Sequence, residues 1–574
     1  MNRDEFVHLL AVARGDAPAD LVLKNGLILN VFTGELLRGD VAIAGGWIAG
    51  VGGDYAGNEV HDLGGAVVVP GLIDGHVHIE SSMVVPAQFA RAVTPHGTTT
   101  VIADPHEIAN VAGAAGIRYM LEASRGLPLS VLINLPSCVP ATSMGTSGAT
   151  LEADDLLALA GEEGVLGLAE FMNVPGAVLG LPGALEKLLA FQGKVIDGHA
   201  PGVSGKWLQA YLAGGPMTDH ESMTVEEALE KVRAGMMVLI RESTAAHNLK
   251  ALLPAVTPRN ARRFAFATDD RHPADLLDEG HMDYLVRLAI GQGLDPIMAI
   301  QMATLHAAEA FGLRDRGAVA AGRRADLVVT PALTDFRAAR VYVNGRLVAS
   351  DGLPCGSWSI PIVDDSGVRR SVHVDLEGLS LAIPVQGKQL HVVDVIPDQV
   401  VTGHLVMEPA VQDGLAVVDL ERDLLKLAVV ERHGRTGKAG LGFVHGLGLQ
   451  RGAIAGSVGH DAHNITVAGA DDRSMLTAIA AVVRMGGGLA VALGDEVLAE
   501  LPLPIGGLMS DQPVGVVRSQ MDALLAKARE LGSPLHDPFM QLGFLALEVI
   551  PSLKLTDQGL VDVEKFDFIP LWSD

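Results

Sequence analysis

Residues 70–78 read Pro70-Gly71-Leu72-Ile73-Asp74-Gly75-His76-Val77-His78, and the fold is decided there. An apolar run carries two histidines separated by one residue. Alternate side chains of a strand share a face, so both imidazoles can reach one metal ion. Outward from this stretch, apolar β-branched runs alternate with Ala- and Leu-rich helical stretches. The runs are 67–69 leading to Ile73, then 98–103, 130–135, 165–171, 194–197, a short one before His220, 236–240 and 264–268. Apolar strands separated by helices imply a parallel sheet covered on both faces. Eight in succession predict a closed (β/α)8 TIM-like barrel rather than an open doubly wound sheet.

The flanks read differently. A helix is expected up to about residue 20, then short β runs at 21–24, 27–31, 40–44 and 47–51, with further runs at 325–329 and 339–344. Neither set is long enough for a sheet with a buried face, so the two are expected to fold together. The predicted organisation is a helix and first part of a small β-sandwich over 1–66, the barrel over 67–320, the second part of the sandwich over 321–368, and an α+β unit over 369–574.

Catalytic groups of a parallel barrel lie at the C-terminal ends of its strands. Read in order, those ends carry His76 and His78; Asp104, His106 and Glu107; Ser137 and Cys138; Glu170; Asp197 and His199; Asp219, His220 and Glu221; Arg241 and Glu242; and Asp269, Asp270 and Arg271. A lone histidine is more often a hydrogen-bonded structural residue than a ligand. Four histidines with Glu170 and Asp269 at equivalent positions are not explained that way. A mixed histidine and carboxylate set suits Zn, Mn or Fe, and a carboxylate can bridge two ions. Two ions about 3.5–4 Å apart can activate water and polarise the group attacked. Asp269 then has the place of a general base and acid.

Composition excludes several classes. The net charge of −26 argues against binders of nucleic acid or anionic membranes. Aromatics are only 4%, too few for base-stacking platforms. No uncharged apolar run reaches the roughly 18–20 residues of a membrane span. Cys138 and Cys355 are the two cysteines, which suits a reducing cytoplasm. The first 20 residues are broken by Asp4, Glu5, His8 and Arg14 and do not read as a secretory signal.

At these residues the chain resembles the amidohydrolase superfamily and, within it, the bacterial adenine deaminase family. The resemblance rests on 70–78, on His78-Ile79-Glu80-Ser81-Ser82-Met83 and on Asp104-Pro105-His106-Glu107-Ile108-Ala109-Asn110-Val111. It extends to Asp197-Gly198-His199-Ala200-Pro201-Gly202, Thr268-Asp269-Asp270-Arg271, Gly459-His460-Asp461-Ala462-His463-Asn464 and the segment 501–510. It implies two divalent ions, manganese first with iron or zinc as alternatives, held by His76, His78, Glu170, His199, His220 and Asp269. Many superfamily members carry a carboxylated lysine where this chain has Glu170. Asn173 and Val174 depart from the family, where an acidic and an aromatic residue are expected.

The reaction implied is hydrolysis of adenine to hypoxanthine and ammonia by metal-activated hydroxide attack at C6. Asp269, Glu107 and His106 are the expected catalytic residues. Glu107 and His106 either contact the ring or support the metal ligands. Glu80, Ser81, Ser137, Cys138 and His463 are the expected substrate-binding residues. The segment 460–464 either lids the site or only caps its own domain. A homo-oligomer, a dimer, is expected. The alternatives are a cyclic amidase of the dihydroorotase or hydantoinase kind, and a metal-free scaffold on the same fold.

Overall fold

The computed structural model describes residues 1–397 and 399–573. Eight parallel strands lie in two arcs. Leu72–Val77, Thr98–Ala103, Ser130–Leu135, Val165–Phe171 and Val195–Gly198 pair in sequence order to form the first. Thr218–Asp219, Met237–Arg241 and Phe264–Ala267 form the second. All six residues of Thr98–Ala103 and all four of Phe264–Ala267 are buried, because helices cover the outside and side chains fill the inside. The arcs meet at two seams. At one, Val77 bridges Asp269 and the Asp269 N–H donates to His76 O at 2.9 Å. At the other, the Met217 N–H donates to Ile196 O at 3.0 Å. A Cβ at Gly198 would overlap Thr218 O, so this close approach of strands requires glycine.

One nine-stranded sheet joins the two flanks. It takes Ala19–Asn30, Glu35–Ala44, Trp47–Val51, Gly57–Asp62 and Val67–Pro70 from one side, and Leu327–Thr330, Arg340–Val343, Arg346–Ser350 and Leu353–Pro354 from the other. It is a single sheet, curled so that Trp47 at one end bridges Arg324. Val67–Pro70 lies inside it, parallel to Ala19–Asn30 and antiparallel to Leu327–Thr330. Val67–Pro70, counted with the barrel in the sequence, thus pairs within the flanking sheet, and the first strand of the parallel series is Leu72–Val77. A short strand buried on both faces reads the same in sequence whichever sheet it joins.

The C-terminal region builds a second nine-stranded sheet from Gln389–Val395 onward, to which Trp572–Ser573 returns as a partner of the first strand. Its strand Leu424–Val430 is wholly buried. Leu425, Leu427 and Val429 join the apolar core that also contains Ile108 and Phe89 of the barrel helices. Ala428 and Val430 pack on the opposite face with Ile479 and Val482 of helix Asp472–Met485. The strand period of two thus binds this region to the barrel on one face and to its own helix on the other. Among the described residues no helix is long and apolar enough to cross a membrane.

Candidate metal centre and active site

Two hydrogen bonds aim the His-x-His pair. The His76 Nδ1–H donates to Asp197 Oδ2 at 2.9 Å, and the His78 Nδ1–H donates to Asp104 O at 2.9 Å. Each ring is thereby turned with Nε2 toward the centre, and the two Nε2 atoms lie 3.1 Å apart. This is how metal-ligating histidines are held. Glu170, at the end of the fourth strand, divides its carboxylate between two sides. Oε1 faces His78 Nε2 at 3.4 Å and His76 Nε2 at 3.8 Å. Oε2 faces His220 Nε2 at 3.4 Å and His199 Nε2 at 3.9 Å.

Asp269 ends the eighth strand in the left-handed region, with φ +58°, a conformation that Asp tolerates better than most residues. Its Oδ1 lies 3.1 Å from His78 Nε2, while Oδ2 accepts from Arg241 at 2.8 Å. Arg241 also pairs with Glu221, which stands 3.6 Å from His199 and 3.5 Å from His220.

The charge balance fits cations. Burial pushes the Glu170 carboxyl up, but hydrogen bonds from His220 and His78 outweigh it and hold Glu170 well below the carboxylate range. Burial likewise opposes the ionised form of Asp269, and Arg241 leads the groups that hold it low. Burial disfavours the charged His220, yet Glu170 carries it up to about 10. Protons occupy the lone pairs for which a divalent ion competes. The residues present therefore fit a divalent-metal centre, with His76, His78 and Asp269 on one side of Glu170 and His199 and His220 on the other.

His78, Glu170, His199, His220 and Asp269 face a cavity of about 80 Å³. Val400, Phe544, Leu547, Val549 and Ile550 from the C-terminal region wall it, beside His460 and Asp461. Glu107, in the first turn of helix His106–Ser124, also lines it, and His106 Nδ1 lies 3.5 Å from Glu170 Oε1.

Residues 67–348 match the Amidohydrolase family, and residues 399–567 match the Adenine deaminase C-terminal domain. An adenine deaminase from Desulfatibacillum aliphaticivorans is 52% identical over 567 residues, covering 98% of this chain and 99% of that one. Adenine deaminase 2 of Carboxydothermus hydrogenoformans is 50% identical over 565 residues, with 98% and 99% covered. The chain belongs to the adenine deaminase family. Among solved structures, a zinc-complexed atrazine chlorohydrolase from Arthrobacter aurescens is 17% identical, with a TM-score of 0.45 over 59% of this chain and 97% of that one.

Within this member of the adenine deaminase family, the residues expected to bind substrate fall in three places. Ser137 and Cys138 line a separate cavity of about 240 Å³ behind the fourth strand, with Lys187 and Asn173. There Ser137 Oγ donates to Glu170 O at 2.5 Å, and burial raises the Cys138 thiol. Glu80 and Ser81 line a small space of about 30 Å³ that shares Asp270 and His460 with the main cavity. Burial pushes the Glu80 carboxyl up to about 7. His463 is fully buried and meets Glu107 rather than the cavity. Asn173, the departure from the family pattern, caps helix Val174–Leu179 by accepting from the Gly176 N–H at 2.9 Å.

Sequence reasoning gave no role to Asp197, Glu221 or the apolar wall. Asp197 and Glu221 were visible as carboxylates at strand ends beside histidines. The wall residues carry no motif, and only the packing of the C-terminal region brings them to the barrel.

Proposed function

We propose that this protein hydrolyses adenine to hypoxanthine and ammonia. The observation that carries the reading is the full-length match to adenine deaminases at 52% identity. We read the eight strands as one closed barrel, with the units divided near 71, 321 and 369.

His76, His78, Glu170, His199, His220 and Asp269 would hold two divalent ions, manganese being the first choice and iron or zinc the alternatives for a mixed nitrogen and oxygen set. Bound there, such ions supply water activation and Lewis acidity. The chain's own residues do the rest. The apolar wall of Phe544, Leu547 and Ile550 accepts a flat ring and excludes water from it. Asp269 takes the proton of the attacking water and passes it to the leaving amine. Arg241 keeps Asp269 ionised and fixes its free oxygen. Glu107 handles the ring proton at N1, without which charge developing in the ring has no outlet.

The test is an assay of metal-loaded protein with adenine, adenosine, cytosine and dihydroorotate side by side. Loss of adenine with equimolar ammonia, and no change in the others, is expected. Turnover of adenosine alone, or ring opening of dihydroorotate, would sink the reading.

A further inference from the structure

We infer that His460 and His463 of the C-terminal region are positioning residues for Glu107, so that the proton-handling side of the site is assembled from two regions of the chain. The inference rests on the role given to Glu107 above. Glu107 is 2% exposed, and both its oxygens are engaged from the C-terminal side. Oε1 lies 2.8 Å from His460 Nδ1, and Oε2 contacts His463 Nε2.

The hydrogen positions follow from the neighbours. The Gly459 N–H points at His463 Nδ1 at 3.3 Å, so that nitrogen accepts and Nε2, the atom that faces Glu107 Oε2, carries the ring hydrogen. The same assignment argues against a third cation, although Glu107, His460 and His463 converge closely enough to hold one. A metal on Nε2 would require the hydrogen on Nδ1, facing the Gly459 N–H.

The two histidines differ in reach. His460 lines the cavity and stacks on Phe544, with ring centres 4.7 Å apart and planes 13° apart. His463 is fully buried and touches the cavity only through Glu107.

The loop that carries them is tied down by hydrogen bonds. The His463 N–H donates to Gly459 O at 2.6 Å, and His433 Nε2 donates to Ala462 O at 2.7 Å. Asn464 Oδ1 accepts from the Arg432 N–H at 3.1 Å. The fully buried Arg432 guanidinium donates to His463 O, Ser371 O and Gly506 O, locking the backbone at the point where His463 departs. Both carboxylate oxygens of Glu107 are thus held in one orientation, as preorganised acid–base catalysis requires.

The test uses full-length, metal-loaded protein. His463→Ala and His460→Ala are expected to lower kcat on adenine by at least about tenfold, within the range of a displaced acid–base group, with KM nearly unchanged and both metals retained. His463→Gln, which can still present an N–H, should recover most of the loss. In a Glu107→Gln background the same Ala changes should cost less than about twofold, because their target is already altered. Equal losses in both backgrounds, or a His463→Gln variant as impaired as His463→Ala, would overturn the inference. So would unchanged kcat in both Ala variants. If the buried His463→Ala variant fails to fold, His460→Ala at the cavity edge carries the same cycle. A wild-type protein inactive on adenine would refute the functional reading instead.

Discussion

Glu170 meets two histidine pairs with one carboxylate, and no other residue type of its size does so with a negative charge. Burying an unpaired carboxylate is costly, and its 4% exposure leaves it no solvent. In the proposed assignment two cations would offset that cost. Gln has the same shape without the charge, so Glu170→Gln should lose at least one metal per chain by elemental analysis. It should lower kcat by about 100-fold or more, in keeping with the loss of a metal-centre function, while circular dichroism stays unchanged. Full occupancy with ordinary turnover would mean that Glu170 is not the bridge. This residue was legible in the sequence because a strand end fixes where its side chain begins. Ser137 and Cys138 also sit at a strand end, yet Ser137 turns to the Glu170 carbonyl and Cys138 into a separate cavity. Position along a strand tells which residues reach the barrel mouth, not which way the loop after the strand turns them.

At the scale of elements, the sixth strand is the weak point of the parallel series. It has two residues, Thr218–Asp219, and bears His220 at its end. Two residues give few ladder hydrogen bonds, and a buried ionic cluster supplies the rest. Asp219 accepts from the Ala200 N–H at 2.9 Å, the Ser222 N–H at 3.0 Å and Lys231 Nζ at 2.8 Å. Lys231 lies on helix Val225–Arg233 and is fully buried, with Glu227 as its second partner at 2.8 Å. Burial would raise the Asp219 carboxyl, but Lys231 drives it down to about 2. Removing one partner strands a buried charge. Lys231→Met should therefore destabilise the protein by about 3–5 kcal/mol, read by denaturant unfolding, and weaken metal retention by freeing His199 and His220. Adding Asp219→Asn should return part of the loss; a double variant as unstable as the sum of the singles would show that the pair is not the cause. The sequence pattern marked this element only as a short run before His220, because polar residues hold it rather than an apolar repeat. The reverse holds for Val67–Pro70, whose apolar run was plain but whose sheet was not.

For the whole molecule, the order of the parallel strands and the histidines and carboxylates at their ends were readable because both follow local periodicity. The C-terminal region's share in the site was not, since its contacts join residues hundreds of positions apart. One of those contacts is titratable. His272 precedes barrel helix Pro273–Asp278 and lies 3.1 Å from Asp537, the N-cap of helix Pro538–Phe544, whose C-terminal Phe544 walls the cavity. Both side chains are buried. Burial lowers His272, but the Asp537 carboxylate outweighs it and raises the imidazole above its ordinary 6.5. Burial raises Asp537, and His272 outweighs that to hold it below 3.8. The signs set a window. The raised histidine gives stability that is whole below 6.5 and is lost as pH rises through its folded value. The lowered carboxyl gives stability that is whole above 3.8 and is lost as pH falls through its own. The docking pair is therefore at full strength between about pH 4 and 6.5. His272→Gln should cost about 1–3 kcal/mol there, the range for a charge-assisted hydrogen bond, and progressively less as pH rises through the raised value of His272. Asp537→Asn, which keeps the cap on Phe539 and Met540, should show the same pH profile, and the double variant should be no worse than either single one. Calorimetric midpoints at matched scan rates from pH 5 to 9 would decide. A gap between wild type and His272→Gln that stays constant across that range would mean the pair contributes packing but no charge.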